Sequence, residues 1–272
     1  MKRSNLKALL CSLILSASGF ASWAGLFDHL PSGLQVTDAN SPAATGTNIS
    51  STASAALSGL SAAELSGGVK AALTQGVQKA VASLGRAGGF SSLAGVESAL
   101  PDKLKKLGSV LNLGGQGKIV QDFQASLNQA AEQAVPAAGP VLADAIQHLS
   151  VTNAPALLAS SDTAATDYLR RTTETSLYAK ILPLVQNSTA KAGVTAKYQD
   201  LLAKYQSVTS LGSLFGAKSP VNFQPGDIDA YITQKTLDGL FQATANEERN
   251  LRTNSLARTS PLLQKVFGTI AH

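Results

Sequence analysis

From Leu65 to Leu84 the apolar residues Leu65, Val69, Leu73, Val77, Val81 and Leu84 recur at spacings of three and four, the stripe of a helix with one buried face. Ser61-Ala62-Ala63-Glu64 stands just before this run as a capping box, and Gly85 follows it as a stop. The pattern predicts a first helix. Leu100-Pro101-Asp102 opens a second, which carries Leu104, Leu107, Val110 and Leu111 until Gly114-Gly115-Gln116-Gly117 breaks it. Ile119, Phe123, Leu127, Ala130, Ala131 and Ala134 mark a third helix, expected to end at Pro136 because proline cannot donate to the helical ladder. Val141, Leu142, Ala145, Ile146 and Leu149 mark a fourth.

Beyond a short turn near Asn153 and Pro155, Asp162 is the expected N-cap of a long stretch with Leu169, Leu177, Ile181, Leu182, Leu184 and Val185. Pro183 should kink or divide that stretch, and Gly193 should close it. Thr195 opens a shorter helix with Tyr198, Leu201, Leu202 and Tyr205, followed by a loop from Ser207 to Pro225 long enough to be a lid or an edge contact. Asp227 is the expected cap of the next helix, whose buried side holds Ile228, Tyr231, Ile232, Leu237, Leu240 and Phe241. The last helix begins near Ser260-Pro261 and carries Leu262, Leu263, Val266, Phe267 and Ile270. No segment alternates as a strand between hairpin turns and no repeat of fixed period is seen, so the expected fold is all-α, an irregular bundle of about eight to ten helices.

The first residues change the picture of where this bundle works. Lys2, Arg3 and Lys7 lead into an apolar run from Ala8 to Leu15, too short to span a bilayer, and Ser22-Trp23-Ala24 puts small residues where a signal peptidase reads. The expectation is a signal peptide over 1–24, cleaved between Ala24 and Gly25, and a periplasmic protein. Residues 25–57, rich in Ser, Thr and Ala with Pro31 and Pro42, read as a disordered linker, and 58–272 as the helical domain. Asn48-Ile49-Ser50 has the form of a glycosylation sequon, read as chance beside a bacterial-type signal. The one cysteine, Cys11, lies in the signal, where Leu9 and Leu10 argue against lipid attachment.

Charge excludes one class of partner. The chain carries +5, and removing the three cations of the signal leaves 5 − 3 = +2. Only Lys103, Lys105 and Lys106 cluster, which fits a solvated helix face and not a nucleic-acid surface. No run in the mature chain approaches the ~18 apolar residues of a membrane helix.

The supply of chemistry is thin. His29 lies in the linker and His272 ends the chain, leaving His148 near a helix C-terminus, where a capping role is expected. No Gly-x-Ser-x-Gly elbow accompanies it, the glycine turn before Lys118 lacks the phosphate-binding ending, and no zinc ligand set or cofactor motif is present. Carboxylates remain. Asn128 and Glu132, four apart, share a helix face among alanines, with Arg170, Arg171, Lys235 and Arg252 as possible counter-charges. They point either to a buried structural network or to a site for a hard cation or a ligand carboxylate. Glu248 and Arg252 read as an ordinary exposed pair.

Several of these stretches resemble one family. Asn128-Gln129-Ala130-Ala131-Glu132, Ala164-Ala165-Thr166-Asp167-Tyr168-Leu169-Arg170-Arg171-Thr172-Thr173 and Tyr231-Ile232-Thr233-Gln234-Lys235-Thr236-Leu237-Asp238-Gly239-Leu240-Phe241 carry the likeness. So do Leu60 to Glu64, Leu84-Gly85 with Gly89-Phe90, Leu100-Pro101, Glu247-Glu248 and Lys265-Val266-Phe267-Gly268. Together they resemble the exported bacterial family called domain of unknown function 4197, over roughly Leu60 to Gly268. The resemblance implies a helical fold and an envelope location, and no reaction.

Two functional expectations follow. The first is a noncatalytic module that binds an apolar small molecule or an envelope protein between helices, with no cofactor and no metal. Its polar anchors would come from Asn128, Glu132, Thr166, Tyr168, Arg171, Lys235, Asp238, Glu248 and Arg252. The second is a hydrolase or lyase with Glu132 or Glu248 as base and Arg171 holding a small anionic substrate. If three or more of these side chains line one open pocket, they form a site and not a sealed core.

Overall fold

The computed structural model describes residues 57–93, 100–212 and 224–270. The expected signal, all but the last residue of the linker, and residues 213–223 of the loop expected from Ser207 to Pro225 lie outside the described residues. Among those described, eight α-helices and one 3-10 turn, Ser255–Ala257, form an all-α fold with no strand. The helices are α1 (Ala62–Leu84), α2 (Asp102–Leu113), α3 (Gly117–His148), α4 (Ala154–Ala159), α5 (Ala164–Lys191), α6 (Val194–Gly212), α7 (Pro225–Thr253) and α8 (Pro261–Thr269).

Helix α1 starts as its sequence dictates. Ser61 Oγ accepts from the Glu64 N–H while the Glu64 carboxylate accepts from the Ser61 N–H, and the stripe Leu65, Val69, Leu73, Val77 and Leu84 is buried. Gly85 ends it in a right-handed conformation, so its value is space: an added Cβ would stand 2.8 Å from Val81 O and 3.2 Å from Pro136 Cγ. Helix α8 opens as expected too, with Ser260 Oγ accepting from the Leu263 N–H and Pro261 in the first turn.

Other boundaries correct the sequence reading. Pro136 does not end a helix: α3 runs on through Pro136 and Pro140 to His148, merging two expected helices. An interior proline costs about 3 kcal/mol. Here both prolines are exposed, while Val135, Ala138, Leu142 and Ile146 on the same stretch are fully buried, and burying each large aliphatic chain contributes roughly 1.5–3 kcal/mol. Pro183 likewise leaves α5 undivided. The turn at Pro155 is a short helix, α4, and the backbone from Ser207 to Gly212 continues α6 where a loop was expected. Helix α7 begins at Pro225 with Gln224 as N-cap, and Asp227 serves as the capping-box partner three residues in.

Four long helices, α1, α3, α5 and α7, make the core of the bundle, with α2 and α6 against α3 and α8 against α1 and α7. Helices α1 and α3 run antiparallel, since Gly85 meets Pro136, Val81 meets Gly139, and Lys70 donates to Gln147 O. Helices α5 and α7 also run antiparallel: Ala165 meets Glu248, Arg170 meets Asp238 and Thr189 meets Asp229. Phe90, Phe123 and Phe267 are the largest fully buried side chains, and Phe123 meets the Tyr198 ring at 6.0 Å to tie α3 to α6. No described helix is long and apolar enough to cross a membrane.

Candidate functional site

The residues singled out in the sequence separate into three places. The first is sealed. Helix α5 has Thr163, not Asp162, at its N-cap position, and Thr163 makes no capping bond; its hydroxyl instead donates to Asp167. The cap comes from α7: the Glu248 carboxylate accepts from the N–H groups of Ala165 at 3.1 Å and Thr166 at 2.8 Å, and from Thr166 Oγ1 at 2.8 Å. A negative group at these orphan donors also meets the positive end of the helix dipole.

Arg252 completes this network. Its guanidinium donates to Glu248 Oε1 at 3.1 Å and to the carbonyls of Leu158 and Leu157 at the end of α4, while its face lies 5.8 Å from the Phe267 ring centre. Arg258 donates in turn to the carbonyls of Leu251 and Arg252 at the end of α7. Glu248 and Arg252 are 2 % and 8 % exposed, so the expected surface pair is a buried one. All four of these bonds to Glu248 come from the protein, so this carboxylate holds the start of α5 and the Arg252 guanidinium in place.

The second place holds Asn128 and Glu132. Glu132 Oε1 accepts from the Phe90 N–H at 3.2 Å, and Asn128 donates to Ser91 Oγ. This pair secures the turn after α1 onto α3. None of the counter-charges proposed from sequence reaches Glu132: Arg170 pairs with Glu174 and Asp238, Arg252 with Glu248, Lys235 lies over Tyr231, and Arg171 is exposed outside these clusters. Tyr168 is apart again, donating to Ser150 O at 2.6 Å.

The third place is open. Thr166, Lys235 and Asp238 line one cleft of about 360 Å³ between α5 and α7, with Thr163, Asp167, Arg170, Phe241 and Arg249. Of these three expected residues, Lys235 and Asp238 are partly exposed to the cleft, whereas Thr166 borders it with its hydroxyl sealed against Glu248. Arg170 pins its walls together, donating to Asp238 at 2.6 Å and Glu174 at 2.9 Å while lying 5.3 Å from the Phe241 ring centre. The Arg170 hydrogen bond holds the Glu174 carboxyl below the usual range, and Glu174 and Asp238 together push the guanidinium up.

A groove of about 340 Å³ between α1 and α3 has a different character, lined by Val77, Val81, Pro136, Gly139, Pro140 and Ala143, with Thr74 and Gln78 beside them. Sequence reasoning treated Pro136 as a helix end and so missed this surface. Its only sequence signal is a proline pair four apart around a glycine. Arg249 was also missed, although Lys235, Asp238, Gln242, Ala245 and Arg249 follow a heptad-like stripe that could have revealed the cleft.

His148 closes α3 as expected, with Nδ1 within 2.9 Å of Asp144 O, and Lys103, Lys105 and Lys106 are exposed. Among the described residues no cluster of His, Cys, Asp and Glu could hold a metal ion.

Fold and site together define an all-α bundle domain whose conspicuous charged motifs are largely structural, with two clefts on separate helix pairs. The family model described as "Protein of unknown function (DUF4197)" matches residues 59–268, and the chain belongs to that family. No curated protein and no solved structure matches the chain.

Proposed function

We propose that this chain is an exported, noncatalytic binding module of the bacterial envelope that holds an apolar small molecule between α1 and α3. The observation that carries the reading is the groove itself. Its volume, about 340 Å³, suits a small ligand, and its lining is a run of aliphatic and proline carbon. Pro136 and Pro140 add ring carbon to this wall in place of backbone N–H donors. The matching ligand has an apolar body, with Thr74 and Gln78 at the edge to meet a polar end such as a hydroxyl. The leader-like start of the chain supports export, and the envelope is where such a carrier meets sparingly soluble compounds.

Native mass spectrometry of the mature protein purified from its own envelope tests this, with identification of whatever denaturation releases. The expected result is a reproducible apolar adduct on the wild type that is lost in Ala143→Asp, which sets a charge in the groove wall. A clean apo mass for both proteins, with no uptake of an added long-chain alcohol, would refute ligand carriage.

A further inference from the structure

The cleft between α5 and α7 has an electrostatic demand that the protein leaves unmet. Its one ion pair joins Arg170 to Asp238, which also accepts from Gln234, while Asp167 accepts from the neutral Thr163 hydroxyl. Three cations against two carboxylates leave the lining at 3 − 2 = +1. Among the described residues neither Lys235 nor Arg249 has a carboxylate within ion-pair distance. The Lys235 ammonium lies 5.9 Å from the Tyr231 ring centre, with Asp102 close enough only to be felt through space, and Arg249 donates to the neutral Asn246 side chain.

The spacing of the two cations says what shape of anion would answer them. They stand 249 − 235 = 14 positions apart along α7, about 21 Å at 1.5 Å per residue. Side chains on a helix lean toward its N-terminus, so both tips shift the same way and the separation persists. A single carboxylate or phosphate cannot reach both. An extended peptide covers that distance in about six residues at 3.3 Å each. Between the two ends, Thr163, Asp167 and the Arg170–Asp238 pair offer donors and acceptors of the kind a peptide backbone uses.

We infer that the α5–α7 cleft is a docking groove for an extended acidic peptide segment of a partner protein, with acidic side chains about six residues apart meeting Lys235 and Arg249. Charge complementarity sets the register, and association weakens as salt rises. This cleft is separate from the α1–α3 groove, so the two proposals stand or fall independently.

The test is fluorescence polarisation of the mature protein with a labelled peptide, Glu-Ala-Ser-Ala-Gly-Ala-Glu, against its Gln-for-Glu counterpart and against glutarate as competitor. Saturable binding by the Glu peptide alone is expected, weakened about two- to fivefold by Arg249→Gln and again by Lys235→Gln, as for exposed ion pairs. Ala143→Asp should leave it unchanged. Equal binding of the Gln peptide, full displacement by equimolar glutarate, indifference to both variants, or no saturation at millimolar peptide would each overturn the inference; displacement by glutarate would identify a small-anion site instead. Both variants change partly or fully exposed side chains, and a thermal melt separates loss of binding from loss of fold.

Discussion

Glu248 shows how one residue can serve three elements. It caps α5, holds Arg252 and through it anchors the end of α4, and every one of its bonds is buried. Glu248→Ala would leave two orphan N–H groups and a guanidinium without its anion. Breaking such a buried pair costs about 3–5 kcal/mol, which urea denaturation should read as a large drop in midpoint. Glu132→Gln should cost less than about 1 kcal/mol, because the amide oxygen can still accept from Phe90 N–H. A loss from Glu132→Gln as large as that from Glu248→Ala would contradict this ranking. The glutamates and Arg252 were all legible in the sequence as charged motif residues. Their burial was not, because an i, i+4 pair has the same spelling on a wet face and inside a core.

At the scale of elements, contact between α1 and α7 depends on a missing side chain. A Cβ on Gly76 would stand 2.9 Å from Thr244 Cγ2 and 3.3 Å from its carbonyl oxygen, so part of what it meets is backbone. Gly76→Ala should destabilise the fold by about 1–3 kcal/mol despite its better helix propensity, measured by thermal or chemical denaturation. A gain in stability would show that α7 can move away at little cost. Between α1 and α8, the Glu64 carboxyl is held down to about 2 from an ordinary 4.5, chiefly by the hydrogen bond from Lys265 and then by Ser61. Its folded value is depressed, so the stability it lends is complete above about pH 4.5 and is lost as pH falls through about 2. An NMR titration should place its midpoint near 2 in the wild type and higher in Lys265→Met; a wild-type midpoint near 4.5 would show that the α1–α8 bridge does not form in solution.

Over the whole molecule, the amphipathic stripes and caps already specified the all-α bundle, including both ends of α1 and the start of α8, because those signals are local. Export is our proposal from the first residues alone: N-terminal sequencing of the envelope-purified protein should find Gly25, and an intact Met1 confined to the cytoplasm would refute it. The candidate site was legible only in fragments. Thr166, Lys235 and Asp238 were named from their motifs, but Arg249 and the proline groove were not, since each cleft lies between helices far apart in the chain. Sequence alone determined that the chain is helical and which helix faces are apolar, since hydrogen-bond periodicity and capping act within a few residues. Tertiary structure decided that prolines stay inside α3, that Glu248 replaces a local cap on α5, and which polar side chains are sealed or open. Those outcomes depend on burial and on partners some 80 residues away, as when Glu248 meets Ala165 and Thr166, and no local pattern encodes such distances.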